Sequence, residues 1–167
     1  LPDWGLQPRS ALGLSFVALV KLIGDEKLLA EARSMSASLN PEEFESSGKK
    51  LAERIKGKIL VIYASSRKLI VAYNWKAKIN ENAKAPAFAN IVPEMNHNEL
   101  NSFEIPALSE KFYFLFLEDS HDHPRVQKRM SVAADLFVKK GLAADKMKLT
   151  GQNHFHKIFS SLILADW

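Results

Sequence analysis

Phe112-Tyr113-Phe114-Leu115-Phe116-Leu117 is the key to the architecture: six apolar residues follow one another with no polar interruption. A strand with one face in water alternates apolar and polar residues, whereas a strand covered on both faces reads as an unbroken apolar run. Lys58-Ile59-Leu60-Val61-Ile62-Tyr63, bounded by Gly57 and Ser65-Ser66, has the same texture. Ala87-Phe88-Ala89-Asn90-Ile91-Val92, closed by Pro93, is a further strand candidate, and Met147-Lys148-Leu149 before Gly151 makes a short fourth. Strands are therefore expected at Ile59–Tyr63, Phe88–Val92 and Phe112–Leu117.

Helical patterns separate these runs. One extends from Leu69 to about Lys84, a longer one from about Pro124 to Lys140 with Gly141 as its stop, and a last one from Phe155 to Trp167. Three amphipathic helices come first. Leu12, Phe16, Leu19 and Ile23 recur at spacings of three and four and share a face, with Gly24 ending that helix. Leu28, Leu29, Ala32 and Met35 form the next stripe. Asn40-Pro41-Glu42-Glu43 opens the third, with a proline in the first turn and acids on the positive end of the helix dipole, and it runs to about Lys56. Strands that alternate with helices imply right-handed crossovers and a parallel sheet. The expected fold class is α/β, a three-layer α/β/α sandwich preceded by helices, with residues 1–167 as one domain.

A chain of 167 residues, 47% hydrophobic and 25% charged, is long enough to bury one such core. Its longest apolar stretches, Ala11 to Val20 and Phe112 to Leu117, fall short of the roughly 20 residues of a membrane span. The opening, Leu1-Pro2-Asp3-Trp4, has neither an initiator Met nor a basic leader. A fragment or processed product without a signal peptide is expected. The absence of cysteine excludes disulfides, thiolate metal sites and cysteine nucleophiles, and fits the reducing cytoplasm. The net charge of +4 raises nucleic-acid binding. The basic residues, however, are dispersed (Lys49, Lys50, Lys56, Lys58; Lys139, Lys140, Lys146, Lys148) among acids, with no interleaved aromatics for stacking, so a solvated surface is the better reading.

Residues 80–100 hold most of the polar groups that could do chemistry: Asn80-Glu81-Asn82-Ala83-Lys84, then Pro93-Glu94-Met95-Asn96-His97-Asn98-Glu99. By residue type alone, Glu81 is a helix-end acid and His97 a capping or surface histidine. His121-x-His123 and His154-x-His156 suggest a metal, because alternate residues of an extended segment face the same way. No third ligand stands at a helical spacing beside either pair, so they read as loop histidines, with His123 at a helix entry, and no metal is expected. No glycine-rich phosphate loop, nucleophile elbow or dinucleotide fingerprint occurs, and no cofactor is expected.

Taken as one string, Ile79-Asn80-Glu81-Asn82-Ala83-Lys84 followed by Pro93-Glu94-Met95-Asn96-His97-Asn98-Glu99 resembles the paired signature of the bifunctional phosphoglucose/phosphomannose isomerases. Those proteins are built of two sugar-isomerase (SIS) domains. Gln7-Pro8-Arg9-Ser10-Ala11-Leu12-Gly13 resembles the opening of their second domain, and Trp75-Lys76 their Arg-Trp-Lys stretch. Asp122-His123-Pro124-Arg125 and the closing Phe159-Ser160-Ser161-Leu162-Ile163-Leu164-Ala165-Asp166-Trp167 also fit, in the same order along nearly the whole chain.

The resemblance implies an SIS-like fold and an aldose–ketose isomerase of carbohydrate metabolism, serving glycolysis and gluconeogenesis, that converts glucose 6-phosphate and mannose 6-phosphate to fructose 6-phosphate through an enediolate. It makes Glu81 the base that carries a proton between C2 and C1, His97 the group that helps open the ring, and Arg9 the stabiliser of the enediolate. The chemistry suits these types. A carboxylate of raised pKa accepts and returns a carbon-bound proton, and a fixed guanidinium favours the charge that develops on oxygen. The implied partners are the sugar phosphate, an N-terminal SIS domain of the same protein and a second subunit of a homodimer that shares the sites. Two departures stand out: Asn74 replaces the family's Arg, and the family continues past Trp167 with a helix bearing a lysine. Ser65-Ser66 could mimic the family's phosphate loop, but loop serines are usually turn residues.

One expectation comes from geometry. A helix that precedes a parallel strand runs against it, so Glu81 belongs at the sheet's amino edge and His97, after the strand, at its carboxyl edge. A six-residue strand separates these edges by about 20 Å. Two sites, each completed by a partner subunit, accommodate both residues. The rival functions are an SIS domain that senses a sugar phosphate without turnover, a metal-dependent hydrolase built on the HxH pairs, and a dimerisation half. Sensing needs no carbon base, which favours the enzyme.

Overall fold

The computed structural model describes Gly5 and residues 7–167, apart from the side chains of Pro8 and Arg9. It divides into two compact units, Leu1–Asn40 and Pro41–Trp167. In the first, a 3-10 turn (Pro8–Ala11) leads into α1 (Leu12–Ile23) and α2 (Glu26–Ser38). Gly24 ends α1 with φ +75°, its N–H reaching the carbonyls of Val20 and Lys21. A left-handed cap of this kind suits glycine, which has no Cβ to clash. Asp25 caps α2 by accepting the N–H of Leu28 at 2.9 Å. Leu29, Ala32 and Met35 are buried, as their stripe predicts. The stripe expected on α1 is not the buried face: Leu12, Leu19 and Ile23 are exposed and Val20 is buried. Lys21 is the one charged residue of that helix, so apolar side chains occupy every face and periodicity cannot choose between them.

The second unit contains α3 (Glu42–Ile55), β1 (Ile59–Ser65), α4 (Leu69–Asn82), β2 (Ala87–Val92), α5 (Glu94–His97), α6 (Pro106–Ser109), β3 (Phe112–Glu118), α7 (Pro124–Lys139), β4 (Ala143–Lys148) and α8 (His154–Leu164). The four strands form one sheet in the order β2-β1-β3-β4. Every pairing is parallel, with Ile62 beside both Ala89 and Leu115, and Leu115 beside Asp145. The expected strands are therefore present and no hairpin joins them.

Residues Leu60–Ser65 of β1 and Tyr113–Leu117 of β3 are buried continuously, because both strands are central and both faces of the sheet are covered. On one face Leu60, Ile62, Leu115 and Leu117 pack against Leu51 of α3, Trp75 of α4 and Leu162 of α8. On the other, Val61, Tyr63, Phe114 and Phe116 pack against Met130, Ala133 and Phe137 of α7 and against Met95 of α5. The result is the expected α/β/α sandwich. The fourth strand is longer and begins earlier than the short apolar triplet suggests. As an edge strand it is half polar, so hydrophobicity marks only part of it. The chain leaves β1 toward β2 and reaches β3 on the other side, which puts a topological switch point at the carboxyl ends of β1 and β3.

Candidate active site

Glu81 occupies the last turn of α4, and α4 runs against the strands, so Glu81 stands at the amino edge of the sheet. Its side chain is exposed and has no hydrogen-bond or ion-pair partner among the described residues. Its neighbours are tied down. Asn80 Nδ2 donates to the carbonyl of Ala85 at 2.9 Å, Lys78 Nζ pairs with Asp166 at 2.5 Å, and Asn82 Nδ2 reaches the same carboxylate at 3.4 Å. The helix end is thus fixed to Asp166, just after α8, while the carboxylate stays free. A cavity of about 750 Å3 opens at this end of α4, lined by Leu51, Ile59 and Trp75 together with Lys78, Asn82 and Lys84, while Glu81 itself does not line it.

His97 ends α5, on the far side of β2, and is exposed at the carboxyl edge. The six residues of β2 hold Glu81 and His97 on opposite edges, a separation of about 20 Å by strand geometry. The structure does not bring them together within the chain. The backbone of Arg9 lies in the 3-10 turn of the first unit, and its side chain lies outside the described residues. Asn74 spends its amide on the carbonyl of Ile70 one turn back in α4, at 3.0 Å.

The carboxyl edge also carries a buried ionic cluster at the switch point. Asp119, just after β3, is 1% exposed and receives Lys157 of α8 on Oδ1 at 2.9 Å. Lys68, in the 3-10 turn after β1, lies 2.9 Å from Oδ2 and is itself buried. The N–H of His121 donates to Oδ1 at 3.0 Å. Burial by itself would raise the Asp119 pKa, but the Lys157 and Lys68 ammoniums and the His121 N–H overcome it, and the carboxyl is held well below its ordinary range. Lys157 also donates to His121 Nδ1 at 2.8 Å, and Lys68 to His154 Nδ1 at 3.2 Å. Burial, then the Lys68 charge, lower the His154 pKa and favour a neutral, accepting ring. Ser65 at the end of β1 donates to Asp122 at 2.8 Å. Ser65 is therefore a buried strand-end donor and more than a turn residue. His123 is the N-cap of α7, its Nδ1 accepting the N–H of Arg125 at 3.2 Å, the helix-entry role its place before Pro124 suggests. Among the described residues no three His, Asp or Glu side chains converge as a metal site.

Sequence reasoning missed Lys68, Asp119 and Lys157. A charged residue in a turn or on a helix reads as surface when taken alone, and their partnership spans 38 residues or more.

Residues 44–167 match the family described as the bacterial phospho-glucose isomerase C-terminal SIS domain. The chain belongs to that family. This SIS domain is 34% identical over 163 residues to the bifunctional phosphoglucose/phosphomannose isomerase of Aquifex aeolicus, covering 98% of the chain and 51% of that protein. It is 32% identical to the protein of the same name from Caldicellulosiruptor bescii, covering 98% of the chain and 52% of the relative. The chain thus spans about half the length of these relatives. Among solved structures, a glucose-6-phosphate isomerase-like protein from Thermus thermophilus superposes with a TM-score of 0.58 at 17% identity, over 86% of this chain and 47% of the other. At that identity the likeness concerns the fold. Among the described residues no helix is long and apolar enough to cross a membrane.

Proposed function

We propose that this SIS domain is the carboxy-terminal half of a two-domain aldose–ketose isomerase that converts glucose 6-phosphate, and mannose 6-phosphate, to fructose 6-phosphate. The observation that carries the reading is the free carboxylate of Glu81. It is exposed and unpaired on a helix end whose neighbouring side chains are bonded, at a position that matches the motif of the family. A base that must take a proton from carbon and return it one carbon along needs a free lone pair and a fixed backbone beneath it.

In this reading Glu81 moves the proton between C2 and C1, His97 passes a proton to the ring oxygen on opening, and Arg9 steadies the enediolate oxygen. The stabilisation comes from a guanidinium that meets more charge in the transition state than in the ground state. Because Glu81 and His97 face opposite edges of one sheet, each site takes its base from one subunit and its histidine from another. The N-terminal SIS domain holds the phosphate. In the complete two-domain enzyme, Glu81→Gln lowers kcat by roughly 100-fold or more with KM nearly unchanged, since the amide keeps the shape and loses the base. Steady-state kinetics on glucose 6-phosphate measures this, and near-normal kcat would remove Glu81 from the role.

A further inference from the structure

Two residues beyond His97, Glu99 is tied to the sheet by both of its carboxylate oxygens. Tyr63 Oη donates to Oε2 at 2.7 Å, and Asn90 Nδ2 donates to Oε1. Both donors are themselves held. Tyr63 and Asn90 are register partners on β1 and β2. The Tyr63 ring is wholly buried, with its centroid 5.0 Å from that of Phe116 and near Phe114 and Phe137. Burial, and then the Glu99 carboxylate, push the phenol pKa far above its ordinary value, so the hydroxyl stays a donor. Asn90 Oδ1 accepts the N–H of Ile91 at 2.8 Å, which fixes the amide with its NH2 side toward Glu99.

The segment around His97 is pinned elsewhere too. Met95 is fully buried on the α7 face of the sheet. Asn98 Oδ1 accepts the N–H of Glu99 at 2.6 Å, Asn98 Nδ2 reaches Glu94 at 3.3 Å, and Ser102 Oγ donates to the Asn98 carbonyl at 3.1 Å. His97 is left as an exposed side chain on a short segment with Met95 anchored before it and Glu99 after it.

We propose that Glu99 is a positioning residue: the hydrogen bonds from Tyr63 and Asn90 fix the turn after α5 and thereby the place of His97 at the carboxyl edge. This deepens the reading of His97 given above and rests on it. A histidine that serves a substrate held by another subunit cannot rely on that substrate to order it beforehand. A core tyrosine reaching through to the turn sets its place in advance.

The test is a double-mutant cycle in the complete two-domain enzyme. Tyr63→Phe keeps the buried ring and deletes the donor, so the fold is retained. The expected result is a fall in kcat of roughly tenfold, the equivalent of one lost hydrogen bond, with KM unchanged. In a His97→Ala background the same substitution should cost nothing more, because a residue that acts through His97 has nothing left to act on. Glu99→Gln, which keeps the shape and one acceptor oxygen, should fall between wild type and Glu99→Ala. An equal loss from Tyr63→Phe in both backgrounds would mark a purely structural role and overturn the positioning, as would no loss with His97 intact. If His97→Ala itself leaves turnover undiminished, the fault lies in the reading of His97, and the positioning role falls with it.

Discussion

Asp119 carries the heaviest electrostatic load of any residue in the cluster, because two buried ammoniums depend on its one carboxylate. Removing one partner of a buried ion pair leaves an uncompensated charge, which costs about 3–5 kcal/mol. Asp119→Asn is therefore expected to lower the unfolding free energy by that amount at pH 7, read from urea denaturation. The pH dependence follows from the direction of the shift. The folded pKa is below the ordinary value near 3.9, so the stabilisation is fully present above about pH 5 and fades as the pH falls through the ordinary value toward the lowered one. The advantage of wild type over Asp119→Asn should narrow on acidification from pH 5 to pH 3. A constant difference across that range would mean that the charge of Asp119 is not what stabilises the cluster.

Among the elements, α3 and α8 approach closely at Gly48. A Cβ there would collide with the Cβ of Trp167 and come within 3.0 Å of the Leu164 carbonyl. Alanine is the better helix former by about 1 kcal/mol, yet a backbone oxygen cannot step aside as a flexible side chain can. Gly48→Ala is expected to destabilise by about 1–3 kcal/mol, the usual cost of overpacking, and a rise in the urea midpoint would contradict that. The elements themselves were largely legible from sequence. β1 and β3 announce themselves because the interior admits only apolar side chains on both faces, and α7 is bracketed by Pro124 and Gly141. Less could be read of the connections. α5, α6 and the 3-10 turns are too short for periodicity to register, and they are held by tertiary contacts such as buried Met95. The Lys68–Asp119–Lys157 cluster left no trace because its members meet only once the sheet brings the ends of β1 and β3 together. The opposite-edge placement of Glu81 and His97, by contrast, followed from strand direction alone.

For the whole molecule, that placement underlies the proposed division of labour between chains. On the proposal that a separate domain holds the phosphate, the 167-residue chain alone is expected to show little or no turnover of glucose 6-phosphate in a coupled assay. Robust turnover would locate the phosphate site within these residues. The proposed division between chains is tested by mixing two strongly impaired variants of the complete enzyme, Glu81→Gln and His97→Ala, and measuring turnover after confirmed subunit exchange. In half of the resulting dimers, one of two sites receives both native residues. Activity should therefore recover to at most about a quarter of wild type, given independent sites and a closed two-fold dimer. No recovery would mean that Glu81 and His97 act on one substrate within one chain, contrary to their positions on opposite edges of the sheet.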